Sequence, residues 1–182
     1  MRHIGTRTLE TERLLLRQFA ESDDQAMFSN WASDPEVTKF LMWPPHSDVE
    51  VSRSVLRGWI GNYKDDAYYQ WAIVPKETGE PIGSIGVVDK DDSIPMAHIG
   101  YCIGKAYWGK GITPEALQAV MDFLFNEVGY ERIESRHDPN NPNSGKVMMK
   151  CGMQYEGTHR MADWNNQGIC DAAYYARLRT DK

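Results

Sequence analysis

Between Met96 and Leu117 the chain passes from a strand pattern through a glycine-bracketed turn directly into a helix, and this junction restricts the fold more than any other stretch. From Met96 to Ile103 the side chains alternate: Ile99, Tyr101 and Ile103 fall on one face, His98, Gly100 and Cys102 on the other. The segment Trp108-Gly109-Lys110-Gly111-Ile112-Thr113-Pro114 follows. Proline suits the first helical turn and threonine the cap before it, so Thr113 is the expected N-cap. Leu117, Val120, Met121, Leu124 and Val128 recur at helical spacing, and Gly129 is a stop. Arg132 to His137 reads as a strand again. A strand, a helix and a strand without a tight turn imply a crossover and therefore one parallel pair.

The remaining chain surrounds that unit with elements of other kinds. Leu9 to Phe19 reads as a first strand. Ser22-Asp23-Asp24 starts a helix with Ala26, Met27, Trp31 and Ala32 on its apolar face, and Asp34-Pro35 ends it. Ser47-Asp48 caps a second helix carrying Val51, Val55, Leu56, Trp59 and Ile60. Tyr69 to Val74 and Ile82 to Val88 form a hairpin over Thr78-Gly79. A short helix opens at Asn141 to Ser144 and ends near Cys151-Gly152, and a closing hairpin runs from Met153 to Arg179 over Asn165-Asn166-Gln167-Gly168. Neither repeats nor a Ser/Gly/Pro-rich linker interrupt residues 1–182, so one domain is expected. Its class is mixed α/β: a mostly antiparallel central sheet of about seven strands, helices on both faces, and one parallel strand–helix–strand unit.

A helix N-terminus behind glycines is an anion site, because its first N–H groups lack intrahelical partners and glycine lets a ligand approach the backbone. A phosphate or diphosphate is the natural guest, with Lys110 adding charge; a plain strand-to-helix connection is the other reading. Gly104 to Lys110 nearly spells a nucleotide P-loop, but Gly111 stands where Ser or Thr must hold magnesium. The dinucleotide pattern fails because Pro114 replaces its third glycine.

The bulk chemistry narrows the partners. With 20 Lys and Arg against 26 Asp and Glu, the net charge of −6 argues against a nucleic-acid binder and favours a cationic substrate such as an amine. Cys102, Cys151 and Cys170 have neither zinc spacing nor a Cys-x-x-Cys, so reduced thiols in a cytoplasmic protein, without a bound metal, are expected. The first residues lack the apolar core of a signal peptide, and no apolar run is long enough to cross a membrane.

Taken together, Ile99-Gly100-Tyr101, Trp108 to Thr113 and Glu115-Ala116 resemble the acetyl-CoA-binding segment of the GNAT superfamily of N-acetyltransferases. Thr11-Glu12-Arg13-Leu14, Asn141-Pro142-Asn143-Ser144, Lys150-Cys151-Gly152-Met153 with Glu156-Gly157, and Asn166 to Asp171 with Tyr175-Ala176 resemble, in order, the branch that acetylates ribosomal-protein serine and alanine N-termini. The resemblance spans nearly the whole chain. Trp108 and Thr113 depart from the general superfamily pattern, which has Gln or Arg and Gly or Ala there.

The resemblance implies acetyl-CoA as co-substrate, with its diphosphate on the amides of Gly109, Lys110, Gly111, Ile112 and Thr113. Its pantetheine arm would lie along Tyr101, Cys102 and Ile103 in a gap towards the Arg132–His137 strand, eased by Gly100 and Gly104, for which close packing is the other reading. Trp108, Asn141 and Ser144 would complete the cofactor set. An amine, on a protein N-terminus or a small molecule, would attack the thioester directly. The resemblance implies Ser144 as proton donor to the thiolate, Asp163 as a candidate base and Tyr101 as support for the thioester; a helix cap, a solvated hairpin residue and core packing are their structural readings. A strand N–H near Cys102 would steady the carbonyl oxygen. His98 and His137 are further candidates by their titration range. Trp43-Pro44-Pro45 with the first two helices would wall the acceptor pocket, and Asp89, Asp91 and Asp92 would attract a cation or simply be solvated. The family analogy suggests a monomer or homodimer. A non-catalytic acyl-CoA-binding or scaffold protein on the same fold is the alternative.

Overall fold

The computed structural model describes residues 1–181. Its sheet has eight strands rather than seven, because the first predicted strand is two: β1 (Leu9–Glu10) and β2 (Leu14–Arg17). A turn separates them, closed by the Thr11 N–H donating to the Leu14 carbonyl over 2.9 Å. β3 (Gln70–Pro75), β4 (Gly83–Asp91), β5 (Met96–Ile103), β6 (Arg132–His137), β7 (Gln154–Asn165) and β8 (Gly168–Leu178) complete the sheet in the order β1-β2-β3-β4-β5-β6-β8-β7. Every neighbouring pair is antiparallel except β5 and β6, the pair expected from the crossover.

Two apolar layers fix the helices to opposite faces. α4 (Ile112–Phe123, continued by a wider turn Leu124–Val128) and α5 (Pro142–Lys150) cover one face. Leu117, Val120, Met121, Leu124 and Met148 meet Leu16, Trp71, Ile73, Ile99 and Ile133 there. The predicted stripe of α4 is buried throughout. α1 (Asp24–Met27, continued by Phe28–Ala32) and α3 (Val49–Asn62) cover the other face, where Met27, Trp31 and Leu56 pack on Phe19, Ala72 and Val74. Side chains alternate in β2, so Leu14 and Leu16 enter the first layer and Leu15 the second. The two aromatic anchors, Trp31 and Trp71, are completely buried.

Two local expectations change. Asp34-Pro35 ends the first helix but also starts another, α2 (Pro35–Thr38): Asp34 Oδ1 accepts from the Glu36 N–H at 2.8 Å, with proline at the first position. In α3, Asp48 is the cap as expected, but Val51 is exposed and Ser52 is turned inward onto His46 Nδ1 at 2.8 Å. A hydrogen-bonded polar pair thus occupies a place the apolar pattern assigned to valine.

Candidate active site

β5 and β6 are paired only at their beginnings, through Met96, Ala97 and His98 opposite Arg132, Ile133 and Glu134. At the next step the Ser135 hydroxyl, not a main-chain amide, donates to the Ile99 carbonyl over 2.8 Å. The strands then separate. Buried Ser135 satisfies the last carbonyl at the branch point and lets the gap open without an orphaned group. Gly100 and Gly104 have another reason to be glycine: a Cβ at Gly100 would come within 2.9 Å of Val88 Cγ1, and one at Gly104 would collide with the Asn30 carbonyl. They serve close packing, and the divergence is managed by Ser135.

The Gly104 N–H donates to the Ile82 carbonyl at 2.8 Å, towards β4. By strand alternation the Cys102 amide also points to β4, and the amides of Tyr101 and Ile103 face the gap. The gap-facing strand N–H groups near Cys102 are therefore those on either side of it, not its own. The Trp108 indole closes the strand by donating Nε1–H to the Ile103 carbonyl at 2.9 Å.

The glycine turn is built as an amide cradle. Gly109 and Gly111 have φ of 73° and 74°, a left-handed conformation that L side chains resist. Gly111, not Thr113, is the N-cap of α4; Thr113 lies inside the first turn and is buried. A left-handed residue can reverse the chain sharply enough for successive amides to point the same way, which a threonine cap would not do. Among the described residues, the N–H groups of Gly109, Lys110, Gly111, Ile112 and Thr113 have no acceptor. The Lys110 ammonium stands over the Tyr107 ring, 5.4 Å from its centroid.

Residues far away in sequence hold this turn. Arg13 donates from Nη1 to the Lys110 carbonyl (2.9 Å) and from Nε to Glu115 Oε2 (2.7 Å). Glu115 Oε1 also accepts from the Thr11 hydroxyl (2.6 Å) and the Arg13 N–H (2.9 Å). Burial pushes the Glu115 pKa up, but these hydrogen bonds and the guanidinium outweigh it, and the carboxyl sits below its ordinary range. This clamp escaped the sequence reading. Its two halves stood there as separate matches, Thr11-Glu12-Arg13 and Glu115-Ala116, with nothing to bring them together.

Turn, gap and the start of α5 enclose one cavity of roughly 300 Å³. All the cofactor-side residues expected from sequence line it except Lys110. Lys146 and Lys150 stand at its wall and no carboxylate does. A more open groove between β1 and α4 is lined instead by Glu10, Glu115, Asp122 and Glu127. A diphosphate is attracted to the first and repelled by the second.

The expected catalytic groups separate. Tyr101 Oη donates to the Ser144 carbonyl at 3.0 Å and lies 3.2 Å from Ser144 Oγ, so both are together on the cavity. Burial pushes the Tyr101 hydroxyl well above its ordinary pKa. Ser144 is the third residue of α5 and caps nothing; Asn141 is the N-cap, by main chain alone. Asp163 is elsewhere. It does not line the cavity, and its Oδ2 accepts from Arg136 Nε at 2.6 Å, so it is neither a poised base nor a solvated hairpin residue. His98 is buried at the closed root of the gap against Glu134 Oε1, 3.1 Å away. His137 Nδ1 is 2.8 Å from the Asp138 carbonyl, leaving a buried Nε2 with no partner among the described residues. Burial raises the Cys102 thiol pKa, which keeps it protonated and a poor nucleophile.

Across the cavity, the apolar wall consists of Val37, Phe40 and Leu41 rather than the Trp43-Pro44-Pro45 expected for an acceptor pocket. Trp43 packs against the second apolar layer. Asp89 and Asp91 lie where β4 pairs with the beginning of β5, the opposite end from the cavity.

Residues 13–154 match the Acetyltransferase (GNAT) domain family. The chain belongs to the GNAT acetyltransferase family. An uncharacterized N-acetyltransferase p20 of Bacillus licheniformis is 33% identical over 174 residues, 96% of this chain and 97% of that protein. The ribosomal-protein-serine acetyltransferase of Escherichia coli is 30% identical over 139 residues, 76% of each chain. A solved ribosomal L7/L12 alpha-N-protein acetyltransferase in complex with coenzyme A shares the fold with a TM-score of 0.84 at 22% identity, covering 94% of this chain and 98% of its own. This GNAT protein is accordingly an acyltransferase, and its mixed sheet with one parallel pair is the family architecture. Among the described residues, no helix is long and apolar enough to cross a membrane.

Proposed function

We propose that this GNAT protein transfers an acetyl group from acetyl-CoA to a primary amine by direct attack in a ternary complex. The observation that carries the reading is the cradle of five unpaired amides from Gly109 to Thr113 opening into the same lysine-walled cavity as Tyr101 and Ser144. Its residues fit coenzyme A. The cradle takes the diphosphate and the free edge at Tyr101 and Ile103 pairs with the amides of the pantetheine arm, as an added strand would. Bound there, acetyl-CoA supplies an activated acyl group on a good leaving thiol.

The protein's own contribution is placement and electrostatics. One of the two gap-facing amides, of Tyr101 and Ile103, donates to the carbonyl oxygen as charge develops on it, and the other pairs with the pantetheine arm. The Tyr101 hydroxyl is committed to the Ser144 carbonyl, which fixes the first turn of α5 and leaves the Ser144 hydroxyl to hydrogen-bond the departing sulfur. Tyr101 thus positions and Ser144 donates. Cys102 takes no covalent part. The acceptor approaches past Val37, Phe40 and Leu41 as the neutral amine; the named relatives above that act on protein N-termini make such a terminus one candidate, and a small-molecule amine is the other.

Calorimetry with coenzyme A tests the binding half: micromolar to low-millimolar binding is expected, and no heat at millimolar coenzyme would refute it. Thiol release from acetyl-CoA across peptides, polyamines and aminoglycosides tests the transfer half. Ser144→Ala should lower kcat by roughly 10- to 100-fold while coenzyme affinity stays within about twofold. Binding without release for every amine would favour the non-catalytic acyl-CoA-binding alternative.

A further inference from the structure

Asn165 and Asn166 sit side by side at the tip of the β7–β8 hairpin, and their side chains reach in different directions. We propose that this pair couples the coenzyme-side loop to the acceptor wall, with Asn166 as the positioning residue that holds the wall. The proposal rests on the reading of the cavity given above and adds to it how the acceptor side is set relative to the thioester.

The wall lacks a ladder of its own. After α2 ends at Thr38, residues 39–46 form neither helix nor strand, so their carbonyls need outside partners. Asn166 supplies three hydrogen bonds. Its Nδ2 donates to the Thr38 carbonyl and to the Trp43 carbonyl, both at 2.8 Å, and its N–H donates to the Leu41 carbonyl at 3.1 Å. The side-chain amide has two hydrogens, and both are used on this one segment. Between the held carbonyls lie Phe40 and Leu41, the side chains that enter the cavity beside Val37. The partners are 128 and 123 residues away in the chain, so the contact exists only in the folded protein.

Asn165 faces the coenzyme side. It is buried, and its Nδ2 donates to Asp138 Oδ2 at 2.9 Å. Asp138 organises the loop before α5: its carbonyl accepts the Asn141 N–H at 2.7 Å and its Oδ1 accepts the Asn140 N–H at 2.8 Å. Asn141 lines the cavity. Two sets of hydrogen bonds, joined by the Asn165–Asn166 peptide bond, therefore connect Asn141 through Asp138 to the wall. Turn formation does not explain it. The turn is served by Asn165 Oδ1, which accepts the Gln167 N–H at 2.7 Å, and by Gly168 at φ 111°; neither uses the Asn166 side chain.

Hydrogen–deuterium exchange reads the coupling without needing the acceptor. In the wild type, coenzyme A should slow exchange in residues 109–113 and also in 38–46. In Asn166→Ala and Asn166→Asp, the Leu41 and His46 amides should exchange at least about tenfold faster before any coenzyme is added. Coenzyme should still slow residues 109–113 in these variants, with Kd within about twofold, but no longer residues 38–46. For any amine turned over by the wild type, KM should rise about tenfold with kcat within about twofold. A wild-type rate at Leu41 in both variants, or undiminished coenzyme protection of 38–46, overturns the proposal. Absence of protection at 109–113 in the wild type would instead overturn the coenzyme reading, and faster basal exchange at Leu41 in the variants would still uphold the latch.

Discussion

The two sides of the cavity are made in opposite ways. The side proposed for the coenzyme is largely main chain: amides from Gly109 to Thr113, the strand edge at Tyr101 and Ile103, and the first turn of α5. The facing wall consists of side chains, Val37 from α2 and Phe40 and Leu41 from the irregular segment after it, held by a hairpin tip from the other end of the chain. Main-chain amides suit a diphosphate through their geometry, so this side depends on backbone conformation more than on side-chain identity. Apolar side chains at this edge of the fold can change without disturbing the sheet, and under the proposed function they would select the amine. Under the proposed function, one surface would serve a constant ligand and the other a variable one.

Substitutions sharpen that contrast. The largest effect should come from Gly111→Val. A β-branched residue at φ 74° cannot hold the cradle, and coenzyme A affinity should fall at least about 100-fold by calorimetry, whatever the amine. Affinity within about threefold of wild type would break the claim that the backbone conformation does the binding. Glu115→Ala removes the clamp from outside the cradle, leaving Arg13 without its carboxylate. Because Arg13 is about half exposed, with 48% of its side chain accessible, a weaker loss is expected, about tenfold in coenzyme Kd.

The closed root of the gap is tested by pH. Glu134 is held down to about 2, chiefly by its hydrogen bond with His98 and also by Arg132, against the opposing effect of burial. Its folded pKa lies below the unfolded value of 4.5, so its contribution to stability is complete above pH 4.5 and is lost as pH falls towards about 2. Glu134→Gln should flatten the acid limb of a melting-temperature profile in that window and leave the limb above pH 6 parallel to wild type. An unchanged acid limb would show that the root is held by something else. The smallest effect should come from Asp163→Asn. With its carboxylate on Arg136 and off the cavity, kcat should change less than about threefold; a loss of 100-fold or more would restore Asp163 as a base and require the hairpin to move.

Legibility followed the same division. The cradle could be read because its determinants are adjacent: two glycines, a lysine and a proline-started helix within seven residues. What misled was the cap. Thr113 has the right chemistry for one, yet Gly111 takes the position because only the left-handed backbone aligns the amides. For Gly100 and Gly104 the sequence left strand divergence and close packing both open; the structure favours packing, because the missing side chains make room for Val88 and Asn30, neither of them nearby in sequence. Asp163 looked free because its cation, Arg136, is 27 residues away on another strand. The wall at Val37 to Leu41 had no signal at all: an apolar residue on a surface helix and one facing a ligand look alike until the opposite wall is in place.

Sequence alone therefore determined most of the elements, the single parallel pair and the glycine turn, since alternation, helical spacing and glycine conformation act within a few residues of chain. Tertiary structure decided the rest. It joined Arg13 to Glu115, opened the gap at Ser135, tied Asp163 to Arg136 and fastened Asn166 to the wall. Hydrogen bonds and ion pairs between distant side chains carry no periodicity along the chain, so only the folded packing reveals which of many polar residues meet.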